Sequence, residues 1–196
     1  MVDNNVIIIT LMASGILTII CYVVVIYNQL VSLKNSIQKN WSNIDVLLKQ
    51  RNSELIKLVD SCKEYMTYEK ETFEKIVKAR NSLSLASDNK NLLELGKAEM
   101  ELRANVRQLF VLAENYPDLK TSTMFGNLQH RISELENSIS DRREFYNESV
   151  NLNNTAIEQF PTNIIARNFG FKEHELLKFS KEEKQDVNIK QEFNVK

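Results

Sequence analysis

Residues 6–26 read VIIITLMASGILTIICYVVVI, apolar on every side and without a charge. From there the apolar positions turn periodic: Leu30, Leu33, Ile37, Trp41, Ile44 and Leu48, then Leu55, Leu58, Cys62, Tyr65, Phe73, Ile76 and Leu83. Steps of three and four, or their sums, keep such residues on one face of an α-helix. About 21 all-round apolar residues at about 1.5 Å each match a hydrocarbon core of about 30 Å. No glycine or proline stands between Val25 and Trp41, so the pattern predicts one helix that leaves lipid and continues into a soluble body. Tyr22 and Tyr27 stand where interfacial aromatics anchor such helices.

The stripe runs without a breaker to SDNKN at 87–91, where Ser87 and Asp88 are candidate N-caps for a second soluble helix. On that helix Leu92, Leu95, Leu102, Val106, Leu109 and Ala113 share a face, and Pro117 ends it at Tyr116. Thr121, Ser122 or Thr123 can cap the next helix, whose seam of Phe125, Leu128, Ile132, Leu135 and Ile139 continues through Arg142, Tyr146, Ser149, Asn153 and Ala156. FPTN breaks the chain at Phe160, and NIIARNFGF supplies apolar residues to fold back onto the bundle. One-faced helices joined by short breaks bury their stripes on one another. The predicted fold is therefore all-α: an N-terminal transmembrane helix continuing into an antiparallel long-helix, four-helix-type bundle. The divisions are an anchor at 1–27, a bundle at 28–172 and a charged C-terminal tail at 173–196 that is expected to be disordered. Whether 28–86 is one helix or two stays open; a kink between Glu64 and Lys70, where the stripe is least regular, would divide it.

Composition agrees with long helices, since the 196 residues include only four Gly and two Pro. MVDNN has no basic residue and no small-residue cleavage pattern follows the apolar run, which argues for a retained span over a cleaved signal peptide. Ile20 before Cys21 disfavours a lipoprotein cysteine. Asp3 precedes the span while Lys34 and Lys39 follow it, which places the N-terminus outside and the bundle in the cytoplasm of a single-pass membrane protein. Cys62 has no cysteine partner except one in the bilayer, so no disulfide framework is expected. A net charge of -1 without a basic run provides no footprint for nucleic acid.

Three segments carry a resemblance: YNQLVSLKNSIQKNWSNIDVLLKQR, AENYPDLKTSTMFGNLQHRISELENSISDRREFYN and IEQFPTNIIARNFGF. In their order and combination they resemble the LemA family of bacterial membrane-anchored helical proteins. The resemblance implies a bacterial source, a single-pass anchor, a long-helix antiparallel four-helix bundle and no established catalytic activity. It also implies envelope-associated assembly, because some members are encoded beside an HtpX-type membrane protease or a TPM-domain partner. The chain departs from the family at Asn40, where alanine is usual, and at Ile56 and Glu64, where a proline and a glycine often stand. Losing those breakers is expected to straighten the first soluble helix.

Candidate chemistry is sparse. His130 and His174 lack the Glu-x-x-His context of a di-iron bundle, and no zinc or cofactor set is legible. Gly126 and Gly170 stand outside any phosphate-loop pattern. The residues with interaction chemistry are Trp41, Asn43 and Asp45 near the membrane, Tyr116 and Asp118 in the YPDL turn, and the pair Arg142 and Arg143. Each has a plainer role as stripe, turn or solvated ion pair. The expectation is a non-enzymatic envelope scaffold that binds the lipid bilayer and an envelope protein partner. An adaptor or regulatory subunit of membrane proteolysis or envelope stress is the alternative, and self-association stays open.

Overall fold

The computed structural model of the chain describes residues 4–178. These are helical, with no strand among the described residues, and the helices pack against one another as a bundle. α1 spans Asn4–Lys63, α2 Lys70–Asp88, α3 Leu92–Ala113, α4 Pro117–Lys120, α5 Thr123–Glu158 and α6 Thr162–Asn168. Of the tail expected at 173–196, residues 179–196 lie outside the described part; residues 173–178 follow α6 without regular structure but are held in place, with hydrogen bonds at His174 and Glu175 and Leu177 buried. Two compact units emerge. Among the described residues, one joins 145–175 to 4–41, and the other joins 42–144 to 176–178.

In the second unit, Asp45 of α1 bonds Ser87 of α2, while Leu55 and Val59 share a groove wall with Ile76. α2 therefore runs against α1. Ile44 and Leu48 lie by Leu95 and Arg51 meets Glu99, so α3 runs with α1. Ile44 is also near Ile139 of α5, and Glu54 and Lys57 near Met124 and Leu128, so α5 runs against α1. This is an up-down-up-down arrangement of four helices. Its core is built from Leu48, Leu55, Leu58, Cys62, Ile76, Leu83, Leu102, Leu109, Ile132 and Leu135, each buried.

Residues 28–86 form two helices. α1 stops at Lys63, and the next turn swings Met66, not Tyr65, into the core, where Met66 is fully buried. Its backbone N–H donates to the Cys62 carbonyl at 2.8 Å. The expected straightening therefore holds at Ile56, inside α1, and fails at Glu64, where burial of Met66 ends the helix without a glycine. The cap of α3 also differs from expectation, while Ser122 serves at α5 as expected. Asn91, not Ser87 or Asp88, is the N-cap of α3, its side chain accepting from the Glu94 N–H at 3.1 Å. The same Asn91 closes α2, since its N–H reaches the Ala86 carbonyl while the Lys90 N–H reaches Ser87. That Schellman pairing forces Lys90 to φ 51, a left-handed position that glycine normally fills. Ser122 Oγ accepts from the Phe125 N–H at 3.5 Å at the start of α5. Along α5 the expected seam holds at Tyr146, Ser149 and Asn153, which are buried, and at the half-buried Ala156; it fails only at Arg142, which is exposed while its neighbour Arg143 is buried.

In the first unit, the early part of α1 pairs with the end of α5 and with α6. Trp41 meets Tyr146 edge-on with ring centroids 5.8 Å apart, and Asn40 Nδ2 donates to the Phe145 carbonyl at 3.2 Å. Further along, Ile26 and Leu30 form a cluster with Ile165 and Ala166, joined by Val23, Ala156, Ile157 and Phe171. Gly170, at φ 73, closes α6 with the same motif used at Lys90, the Phe171 N–H reaching the Ala166 carbonyl. The chain then returns antiparallel to α5: Asn153 donates to Lys172, Asn154 exchanges bonds with the His174 backbone, and the Tyr146 hydroxyl donates to the Glu175 carbonyl. Residues 7–25 of α1 are exposed apart from the half-buried Val23, and α1 is long and apolar enough to cross a membrane.

The two left-handed positions differ in residue type, which sets opposite outcomes. Lys90→Gly is expected to raise stability by about 1 kcal/mol and Gly170→Ala to lower it by about as much, in urea titrations of the purified protein. Burial pushes the Cys62 thiol up from 9.0 to about 12. Its contribution to stability is complete below pH 9.0 and disappears as pH rises toward 12. At neutral pH, alkylation should spare Cys62 until denaturant is added.

Candidate partner-binding surfaces

Two helical stripes each contain a charge of opposite sign. On α1 the buried run Ile44, Leu48, Leu55, Leu58 and Cys62 leaves a gap that Arg51 fills; on α3, Leu95, Leu102, Val106 and Leu109 leave one that Glu99 fills. Parallel packing of α1 and α3 brings the two together. Arg51 Nη1 donates to Glu99 Oε1 at 2.8 Å and Nη2 to Oε2 at 2.7 Å, a bidentate fork with both residues buried. Arg103 Nη2 stands 3.7 Å from Glu99 Oε1, and the Arg143 charge also acts on this carboxylate. Burial by itself would raise the Glu99 pKa, but the fields of Arg51, Arg143 and Arg103 hold it below the usual carboxylate value. Arg51 is opposed by burial yet stays above its ordinary value through Glu99. Neighbouring Glu136 goes the other way, burial outweighing Arg51 and Arg103 to raise it. The cluster is internal, so its chemistry joins helices more than it meets a ligand.

The other residues of interest fall at separate places. Trp41 is buried against Tyr146 in the first unit. In the second unit Asn43 and Asp45 are half-buried. Asp45 is engaged on both oxygens, accepting from Ser87 Oγ at 3.0 Å and from Lys49 Nζ at 2.7 Å. It therefore fastens the end of α2 to α1. Tyr116 donates to Glu69 Oε1 at 3.4 Å, tying the turn before α4 to the α1–α2 connection, while Asp118 is exposed. Arg142 is exposed on α5; Arg143 is buried near Leu48, Gly96 and Glu99. Asp45 and Arg143 thus share one end of this unit, and Tyr116 and Asp118 the other.

The open surface lies elsewhere. Along α2, with Lys63 at the end of α1 beside it, Phe73, Val77, Lys78 and Leu85 line an open groove of about 490 Å³. A shallower one of about 120 Å³, with Ile56, Val59, Asp60 and Arg80 on its walls, shares Lys63 and Val77 with it. Ile56, Val77 and Leu85 are exposed there. Another groove of about 580 Å³ separates α1 from α5 at Lys57, Met124 and Arg131. His130 lies 3.7 Å from Glu134 on the exposed face of α5.

The model of the LemA family matches residues 40–191. The chain belongs to the LemA family. A Protein LemA from Metamycoplasma hominis is 32% identical over 162 residues, covering 82% of this chain and 73% of that protein. Two proteins of Paramagnetospirillum magneticum, Magnetosome protein MamQ 1 and Magnetosome protein MamQ 2, are each 22% identical over 191 residues, covering 84% of this chain and 70% of theirs.

In this LemA-family chain the sequence reading passed over Arg51 and Glu99, although the signal was present as two missing steps in otherwise regular apolar stripes. The α1–α2 groove had no comparable signal, because it depends on how two separately amphipathic helices diverge. The internal pair makes a clear expectation. Arg51→Leu or Glu99→Leu alone leaves a buried charge without its bidentate partner and should cost about 3–5 kcal/mol, whereas the double variant should cost less than the sum in a denaturant double-mutant cycle. Because Glu99 is held below its ordinary 4.5, its contribution is present above that pH and is lost as pH falls through the lower folded value.

Proposed function

We propose that this LemA-family chain is a membrane-tethered helical scaffold, in which a span holds a bundle at the bilayer and the bundle's exposed grooves position another envelope protein. Family membership and the apolar helix fit a membrane-associated protein. The observation that carries the reading is α1 itself: bare and apolar over 7–25, it runs without a break into residues packed inside helical units. A backbone that never unwinds transmits position, and tethering raises the effective concentration of whatever the bundle binds without any catalysis. Lys34 and Lys39 after the span favour a cytoplasmic bundle. The α1–α2 groove is the favoured recruiting surface, since Ile56, Val77 and Leu85 are exposed there between charged rims.

Crosslinking in intact cells followed by mass spectrometry tests it. A reproducible partner is expected with the unchanged chain, and its yield should fall severalfold with Val77→Glu, an exposed position whose change leaves the core intact. Recovery of no partner, or of the same partner at the same yield from the variant, would remove the groove from the account.

A further inference from the structure

The corner between α5 and α6 presents apolar groups to solvent where a soluble turn would be polar. Phe160 is 80% exposed, Ile164 54% and Phe169 58%. Between residues 159 and 171 the only charge is Arg167, in the last turn of α6. The buried face of the same corner, Ile165 and Ala166, packs on Ile26 and Leu30 with Val23 beside them. Phe169 and Phe171 meet the Tyr27 ring edge-on, at 5.0 and 5.9 Å.

These contacts fix the depth of the corner relative to the span. A hydrocarbon core of about 30 Å takes about 20 helical residues, and residues 7–26 supply that number, so Ile26 and Tyr27 lie where acyl chains give way to headgroups. α1 bears no charge from residue 4 until Lys34, so nothing on it requires bulk water over 23–30, the section the corner covers. Apolar side chains exposed at that level face the acyl–headgroup boundary, where aromatic rings are favoured and a single cation can meet lipid phosphate.

We infer that the α5–α6 corner is a second membrane contact, with Phe160, Ile164 and Phe169 seated in the lipid interface beside the span. It rests on the reading of residues 7–26 as a membrane span and adds to it. The span alone leaves the protein free to rotate and tilt about one axis; an interfacial corner held against the same helix fixes which face of the first unit lies on the bilayer. Lipid is the favoured occupant because the patch is continuous with residues 7–25, which lipid must cover in any case.

The test uses the full chain in vesicles of phosphatidylcholine and phosphatidylglycerol. Ile164→Cys, made with Cys21→Ala, receives a polarity-sensitive fluorophore; Leu93→Cys in the same background reports an exposed site on α3, and native Cys21 in the unchanged chain reports the span. The expected result is a blue-shifted emission at 164, quenched more by headgroup-level than by deep nitroxide lipids, with iodide quenching severalfold weaker than at 93. Iodide quenching at 164 equal to that at 93, with the Cys21 label still quenched by deep nitroxides, overturns the corner and leaves the tether standing. Shielding of 164 from both iodide and nitroxide lipids would mean a second copy of the chain covers it, which also overturns the inference. Failure of deep nitroxides to quench at Cys21 overturns span and corner together.

Discussion

α1 is one backbone whose side chains divide it into an exposed apolar section and a packed one. Inside an α-helix every central N–H and C=O is paired within the segment, so the backbone has the same hydrogen bonds in lipid as in water. Only the side chains need to change along it, and they do: residues 7–25 are apolar on all faces, and beyond them a single buried line begins at Ile26. Four of the remaining helices, α2, α3, α5 and α6, pack on this line. The end of α5 and the short α6 fold onto Ile26 and Leu30, and α2, α3 and the start of α5 fold onto Ile44 through Cys62.

Apolar stripes bring helices together but specify their axial positions weakly, because one leucine packs nearly as well as the next. The polar contacts remove that freedom. Sliding α3 by one turn along α1 would break the bidentate pair and leave Arg51 buried without Glu99, a cost of several kcal/mol. Asp45 does the same for α2 through Ser87, and Asn153 and Asn154 do so for the returning chain at Lys172 and His174. The polar side chains that look most available for recognition in this protein are therefore largely occupied in setting register, and apolar grooves and corners remain as the exposed chemistry.

The connections show how little backbone strain the fold tolerates and where it accepts it. Two helices end in the same left-handed closure, at Lys90 and at Gly170. The second has the residue suited to it. The first has lysine, held there because Asn91 must terminate α2 and cap α3 within a single step.

Hydropathy pattern by itself determined the helices, their order, the apolar span and the buried identity of most stripe residues. These follow from a period that each helix imposes locally, whatever it packs against. The sequence also marked the proline breaks at Pro117 and Pro161 and the solvated character of most charges. Tertiary structure decided the rest. The break after Lys63 falls where the stripe is least regular, between Glu64 and Lys70, but that it is a break, with Met66 in place of Tyr65 in the core, was decided by packing. The choice of Arg143 over Arg142 for the interior depends on what lies opposite, since the Arg143 charge acts on the buried Glu99 carboxylate. The pairing of Arg51 with Glu99, and the exposure of Phe160, Ile164 and Phe169 beside Ile26, join residues distant in the chain. Periodicity tells which face a residue occupies; only packing tells what that face meets.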